Sequence, residues 1–265
     1  MLNTGQRWEN ILLSRTHLII PDPHAHPDHH NKRADYLSGL IIDLRPDVVV
    51  CIGDGPDMPS LASYDRGTRS FQGRTYRRDI DAWLDFQSRM WDPVRARKKR
   101  LPERHYLEGN HDYRIKRAIN FQPELDGAIG FDDLCLNDYW DVVTEYNGAT
   151  PGTVTIDGVT YAHYFVSGVM GRAITGERPA LALVNKQLQS TTQGHVHTFD
   201  HCLRTNAQGK KISGLVCGCY VDYPQSYAGI SQRLWYPGVV IKREVEDGVY
   251  DLQTVSMETL KRIYG

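Results

Sequence analysis

What most constrains this chain is a repeating unit in its first half: a short apolar run, a polar loop, then a helix-like stretch. His17–Ile20 reads as a strand ending at Pro21. Arg33–Leu44 follows with Tyr36, Leu37, Leu40, Ile41 and Leu44 spaced for one face of a helix. Pro46 stops that helix, and Val48–Ile52 is a continuous apolar strand of the kind buried on both faces. Asp79–Trp91 predicts a second helix and Arg104–Leu107 a third strand. Strands alternating with helices in this way form βαβ units. The second half is built differently. Asp157-Gly158 and Asp247-Gly248 each sit between strand-like runs (153–156 with 160–165, and 239–246 with 249–255), which predicts two hairpins. Ala180–Leu188 reads as a helix, Ile212–Cys217 as a strand, and the chain closes on a short helix. The expectation is an α/β protein: a layered mixed β-sheet sandwich flanked by helices. It is a single domain over 1–265, with insertions at 58–80 and 113–150.

The polar loops carry the chemistry. Asp22-Pro23-His24 follows the first strand, Gly53-Asp54 the second, and Gly109-Asn110-His111-Asp112 the third. His163 lies in a later strand, and Gly194-His195-Val196-His197 precedes another extended stretch. Ligands of open α/β sheets bind beyond the carboxyl ends of the strands, so these residues are delivered to one edge. Taken singly, a strand-end Asp is an ordinary helix cap and His163 an ordinary core histidine. Taken together, they supply carboxylate, amide oxygen and imidazole without thiolate, the mixture a divalent cation of hard to intermediate character prefers.

In that order the motifs resemble the calcineurin-like metallophosphoesterases, whose signature is DxH, GD, GNH followed by D or E, a lone His, and GHxH. Every element is filled between residues 22 and 197. The resemblance implies two divalent ions, manganese first, with iron, zinc, magnesium or nickel as alternatives. Asp22, His24, Asp54 and His197 would hold one ion; Asp54, Asn110, His163 and His195 would hold the other, with Asp54 bridging. Such a pair clamps a phosphate ester and lowers the pKa of the water between the ions. His111 would then assist the leaving oxygen, and Asp112 would orient His111 by accepting its other N–H. Asp57 is open between a partner of that site and a turn residue. His26 is read mainly as part of a solvated loop, with a substrate contact as the alternative.

Charge bears on the substrate. The net charge is −1, yet residues 66–104 hold 12 basic and five acidic side chains, +7 against −8 for the remainder. Arg66, Arg69 and Arg74 interleave with Tyr64, Phe71 and Tyr76, a pattern suited to phosphate contact and base stacking. The third motif ends in Asp112 and no GDxxDRG stretch follows Asp54, which disfavours a protein phosphatase and favours the nuclease or cyclic-nucleotide phosphodiesterase branches. A nucleic acid or nucleotide substrate is expected. A small-molecule phosphodiesterase or nucleotide phosphatase is the alternative, and a catalytically silent metal-binding module the third reading. No partner protein is evident, because the stretch after His197 holds no recognisable capping or coiled-coil domain. MLNTGQRWEN lacks the features of a signal peptide. Five scattered cysteines suggest no disulfide framework or zinc ribbon, so a cytoplasmic setting is expected. Pro224–Pro237 reads as a surface loop without legible chemistry.

Overall fold

The computed structural model describes residues 14–148, 150–225 and 227–265; the N-terminal stretch read for a signal peptide lies outside them. In chain order the elements are β1 (Arg15–Ile20), α1 (Lys32–Leu44), β2 (Val48–Cys51), α2 (Tyr76–Ala96), β3 (Glu103–Leu107), α3 (Arg114–Phe121), α4 (Leu136–Tyr139) and β4 (Val142–Thr144). Then come β5 (Tyr146–Asn147), β6 (Thr150–Pro151), β7 (Thr153–Ile156), β8 (Val159–Ala162), β9 (Val166–Ser167), β10 (Arg172–Ala173) and α5 (Pro179–Gln187). The chain ends with β11 (Thr191–Gln193), β12 (Phe199–Thr205), β13 (Lys211–Cys217), β14 (Gly238–Glu246), β15 (Val249–Ser256) and α6 (Met257–Tyr264).

Two mixed sheets form the layers, with strand orders β15-β14-β1-β2-β3-β4 and β12-β13-β11-β8-β7. β1 to β4 run parallel, because each connection between them crosses over rather than turning tightly. Ile19, Val48, Val50 and Val240 of the first sheet meet Val159, Tyr161, Leu215 and Cys217 of the second. The opposite face of the first sheet packs Leu18, Val49 and Cys51 against Leu37 and Ile41 of α1 and Trp83, Phe86, Met90 and Trp91 of α2. Both faces of β2 are thus covered, as its unbroken apolar sequence requires. Leu183 of α5 packs on Ala162 and Val216 of the second sheet.

The expected α/β class is observed. The strand expected over 160–165 stops at Ala162, the extended stretch expected after His197 is β12, and β4, β5, β6, β9, β10 and β11 go beyond the expected elements. The irregular stretch after Tyr113 does hold helices, but it also returns to the first sheet as β4, parallel to β3 with Val143 opposite Tyr106. Residues 58–71 contain three short 3₁₀ turns. All five cysteines are free. Among the described residues no helix is long and apolar enough to cross a membrane.

One polar cluster lies between the sheets. Lys242 of β14 is fully buried, hydrogen-bonded to Thr192 and, at 3.4 Å, to the Tyr161 hydroxyl, with the Tyr161 and Tyr250 rings against its ammonium. His17 joins it, 2.7 Å from Tyr161 Oη on one side and 2.7 Å from Asp157 Oδ2 on the other. Burial holds the Lys242 amine well below its ordinary range. Unfolded, Lys242 is protonated up to about pH 10.4, so folding releases its proton and stability rises with pH. Releasing that proton costs about 1.4 kcal/mol per pH unit below the unfolded pKa, up to about 4 kcal/mol at pH 7, a cost an apolar side chain of similar volume does not carry. Lys242→Met is therefore expected to raise the unfolding free energy at neutral pH by that order. The advantage over wild type shrinks by about 1.4 kcal/mol per pH unit between about pH 8 and 10, as denaturant unfolding at several pH values would read. An unchanged or lowered stability at pH 7 would refute the assignment.

Candidate metal centre

Five strands from both sheets aim their carboxyl ends at one spot. Asp22 and His24 follow β1, Asp54 follows β2, Asn110 and His111 follow β3, His163 follows β8, and His195 and His197 follow β11. The backbone there is unusual. Asp22, His24, Asp54, His195 and His197 all have φ between 37° and 64°, the left-handed region that non-glycine residues adopt at a cost and that clusters at functional sites. Two motif glycines are required by close approach. A Cβ on Gly109 would lie 2.2 Å from Asp54 Oδ1, and one on Gly194 would lie 2.5 Å from Asp22 Oδ1.

Asp54 is the centre of the cluster. Its Oδ1 accepts the His111 backbone N–H at 2.8 Å, while Oδ2 faces His163 Nε2 at 3.4 Å, His24 Nε2 at 3.8 Å and His111 Nε2 at 3.9 Å. On one side His197 Nε2 stands 3.2 Å from His24 Nε2 and 3.3 Å from Asp22 Oδ2. On the other, Asn110 Oδ1 lies 3.0 Å from His163 Nε2, and a ring nitrogen of His195 falls within 4.8 Å of ligand atoms of both Asp54 and His163. A second trio within that distance is His24, Asp54 and His111.

Other groups fix which nitrogens face inward. His24 Nδ1 bonds Asp57 Oδ1 at 3.0 Å, and His163 Nδ1 bonds the Ile52 carbonyl at 2.9 Å, so Nε2 of each points into the cluster. Burial pushes His195 down to about 3 and His197 well below its ordinary range, keeping both imidazoles neutral. Burial alone would raise the Asp54 pKa, but the neighbouring histidines outweigh it and hold the carboxyl well below the carboxylate range. These atoms fit a pair of divalent cations. Asp22 Oδ1 is buried without a hydrogen-bond partner, and the Nε2 atoms of His24 and His197 face each other across 3.2 Å with room for a single proton between them.

Two expectations about residues near the cluster need correction. Asp112 does not reach the His111 ring: Oδ2 accepts the backbone N–H groups of Asp54 and Gly109, at 2.9 and 2.6 Å, and Oδ1 accepts the Tyr106 hydroxyl at 2.6 Å. Both its oxygens are engaged in tying the second and third motif loops to each other and to Tyr106 of β3. The residue on His111 is Asp57, whose carbonyl and Oδ1 each lie 2.8 Å from Nδ1. The second correction concerns charge. Arg95–Arg100 starts in the last turn of α2 and runs on at the amino ends of the parallel strands, opposite the cluster, and Arg77, Arg78 and Arg89 pair with Asp81, Asp28 and Asp85. The +7 stretch is therefore not one face.

The cluster floors a cleft of about 510 Å³. His26 and Arg74 line it; Arg66 and Arg69 are exposed and do not. Arg74 is tied to Asp65 Oδ2 at 2.6 Å. Reading by motif alone missed several residues. Arg114 donates to the Asp57 and Met58 carbonyls and sits 3.0 Å from His111 Nε2. Its one signal is its place at the start of the helix after the third motif. Tyr227 and Trp235, from the stretch read as a featureless loop, form the far wall, Trp235 edge-on to His197 at 4.2 Å. Fully buried Arg33 of α1 donates to the carbonyls of Pro23, His24 and Tyr220, fixing the first motif to the C-terminal loops.

A family model described as calcineurin-like phosphoesterase matches residues 16–199. None of the curated proteins compared with the chain matches.

The two aspartates separate by experiment. Loss of a carboxylate that orients a ligating histidine costs about 10–100-fold in metal affinity or activity, so Asp57→Asn is expected to weaken metal binding by that factor. Asp112→Asn instead leaves buried donors unsatisfied and lowers metal-free stability by about 1–3 kcal/mol. Calorimetric metal titration and metal-free denaturant unfolding read the two. Weakened metal binding in D112N at unchanged stability would instead place Asp112 among the groups that orient the metal ligands.

Proposed function

We propose, from the premise that this chain belongs to the calcineurin-like phosphoesterase family, that this metal-dependent phosphoesterase cleaves phosphodiester bonds in nucleic acid. The observation that carries the reading is the company the cluster keeps. Its cleft joins the guanidinium groups of Arg74 and Arg114 to the aromatic side chains of Tyr64, Tyr227 and Trp235. Cations beside a backbone phosphate and aromatic faces for unstacked bases are what single-strand recognition uses.

Asp22, His24, Asp54 and His197 would hold one cation, and Asp54, Asn110, His163 and His195 the other; manganese is the first candidate. Bound there, the pair supplies Lewis-acid polarisation of the phosphate and a water acidic enough to ionise near neutral pH. The remaining work falls to the chain itself. His111 gives Nδ1–H to Asp57, which turns Nε2 toward the cleft. For the leaving oxygen to be protonated, Nε2 takes up a proton from solvent, giving up its bond to Arg114, and passes it on; the freed Arg114 guanidinium then meets the charge developing on that oxygen. His26, 3.8 Å from Asp57 Oδ2 at the cleft wall, contacts substrate rather than metal. Asp112 keeps the loops bearing Asp54 and Asn110 in register. Residues 1–265 act as one domain, with the 58–80 insertion supplying one wall of the cleft.

A small-molecule phosphodiesterase is the second reading, favoured by the placement of Arg95–Arg100 at the opposite edge, where it offers the cleft no cationic path. Purified protein with Mn²⁺ is expected to cleave bis(p-nitrophenyl) phosphate and an oligonucleotide. Asp54→Ala is expected to abolish both activities, and His111→Ala to slow them about 10²–10⁴-fold. Oligonucleotide binding weakens steeply with added salt as counterions are released, while the small ester is almost indifferent to it. Cleavage confined to monoesters would exclude both diesterase readings; cleavage of the small diester alone would leave the second.

A further inference from the structure

The loop after His163 is built in a way the chemistry described so far leaves unused. Three residues beyond that histidine, β9 and β10 pair as a hairpin, Ser167 opposite Arg172 and Val166 opposite Ala173. Its base is fixed. Phe165 and Ile174 are buried and joined by a 2.8 Å backbone hydrogen bond, and the Gln193 side chain bonds both, accepting from Phe165 N and donating to the Ile174 carbonyl. Gln187 holds the Val166 carbonyl.

Its tip is bare. Gly168 and Gly171, at φ of +71° and +58°, close the turn with a 3.2 Å hydrogen bond, and nothing lies within 4 Å of where their Cβ atoms would be. Between them stand Val169 and Met170, 105% and 78% exposed. Turn corners ordinarily take Gly, Asn, Asp, Ser or Pro, so two large apolar side chains there do not serve the turn. Exposed Arg172 stands just past Gly171.

The occupant can be argued from size and place. Even at the 150–250 Å² of a buried aromatic side chain each, two residues would cover under about 500 Å², far below the roughly 1,200 Å² of a stable protein interface. The hairpin follows His163 at the carboxyl end of β8, the sheet edge that holds the cluster, and its residues stand outside the lining of the cleft. A cleft of about 510 Å³ takes a drug-sized ligand, hence a short piece of single strand rather than both strands of a duplex. Apolar wedges inserted between base steps are a known means of unstacking a duplex.

We propose that Val169-Met170 is a wedge that parts the end of a duplex so that one strand enters the cleft, with Arg172 on the displaced backbone. The inference rests on the nucleic-acid reading above. The test compares wild type with Val169→Ser/Met170→Ser, both with Mn²⁺, on bis(p-nitrophenyl) phosphate, a single-stranded oligonucleotide and a blunt duplex of the same sequence. The variant is expected within about twofold of wild type on the first two, and about tenfold or more slower on the duplex, with a single-stranded tail on the duplex restoring the rate. An unchanged duplex rate, a parallel loss on all three substrates, or a wild type that never cleaves duplex would overturn the wedge alone. A wild type active on the small diester and on no nucleic acid would overturn the underlying reading, and the wedge with it.

Discussion

Everything at the catalytic edge turns on one carboxylate, Asp54. Its backbone N–H is held by Asp112, its Oδ1 by the His111 backbone, and its Oδ2 is left facing three imidazoles. A buried anion in such a place is tolerable only if cationic charge meets it. The surrounding histidines do so in part, and the neutral donors around them leave room for more. The left-handed backbone at Asp22, His24, Asp54, His195 and His197 is the cost of pointing five side chains inward from strand ends that would otherwise splay. Two buried sheets and the hydrogen bonds of Arg33, Asp57 and Asp112 keep that conformation in place.

Much of this was legible in the residues. The apolar run at Val48–Ile52 reads as a strand covered on both faces, and all but its last residue form one; the DG dipeptides at 157 and 247 both mark hairpins. The residues nominated as ligands come together because strand-end position is a topological property, and topology follows from the alternation of strand and helix. What escaped were features set by side-chain geometry across long sequence separations. Asp112 stands next to His111, so adjacency suggested partnership; yet consecutive residues of a tight turn point apart, and the partner proved to be Asp57, 54 residues away. Trp235 and Tyr227 carried no motif, because an aromatic wall needs only to be flat and near.

Charge is the clearest instance of a linear signal dissolving in three dimensions. Residues 66–104 look like one basic segment, but a 21-residue helix runs through them. At 1.5 Å per residue, α2 carries its C-terminal cations to the far edge of the sheet. Arg74, near its start, is left beside the cleft; Arg97 to Arg100 are not. The distribution of charge along a chain is informative about a surface only once the elements that carry it are oriented.

The centre draws its ligands from both layers, Asp22 through Asn110 from the first sheet and His163 through His197 from the second. The seam between the sheets therefore sets its bore. A shift of one layer against the other by a fraction of an ångström, too small to disturb any single strand, would alter every cross-layer distance at once. Cations seated there would in turn act as rivets, adding to the directional hydrogen bonds that Lys242 and His17 make across a seam whose apolar contacts are themselves non-directional. Core substitutions along Lys242, Tyr161 and Thr192 lie on that same plane, so packing far from the cleft becomes a means of adjusting its gauge.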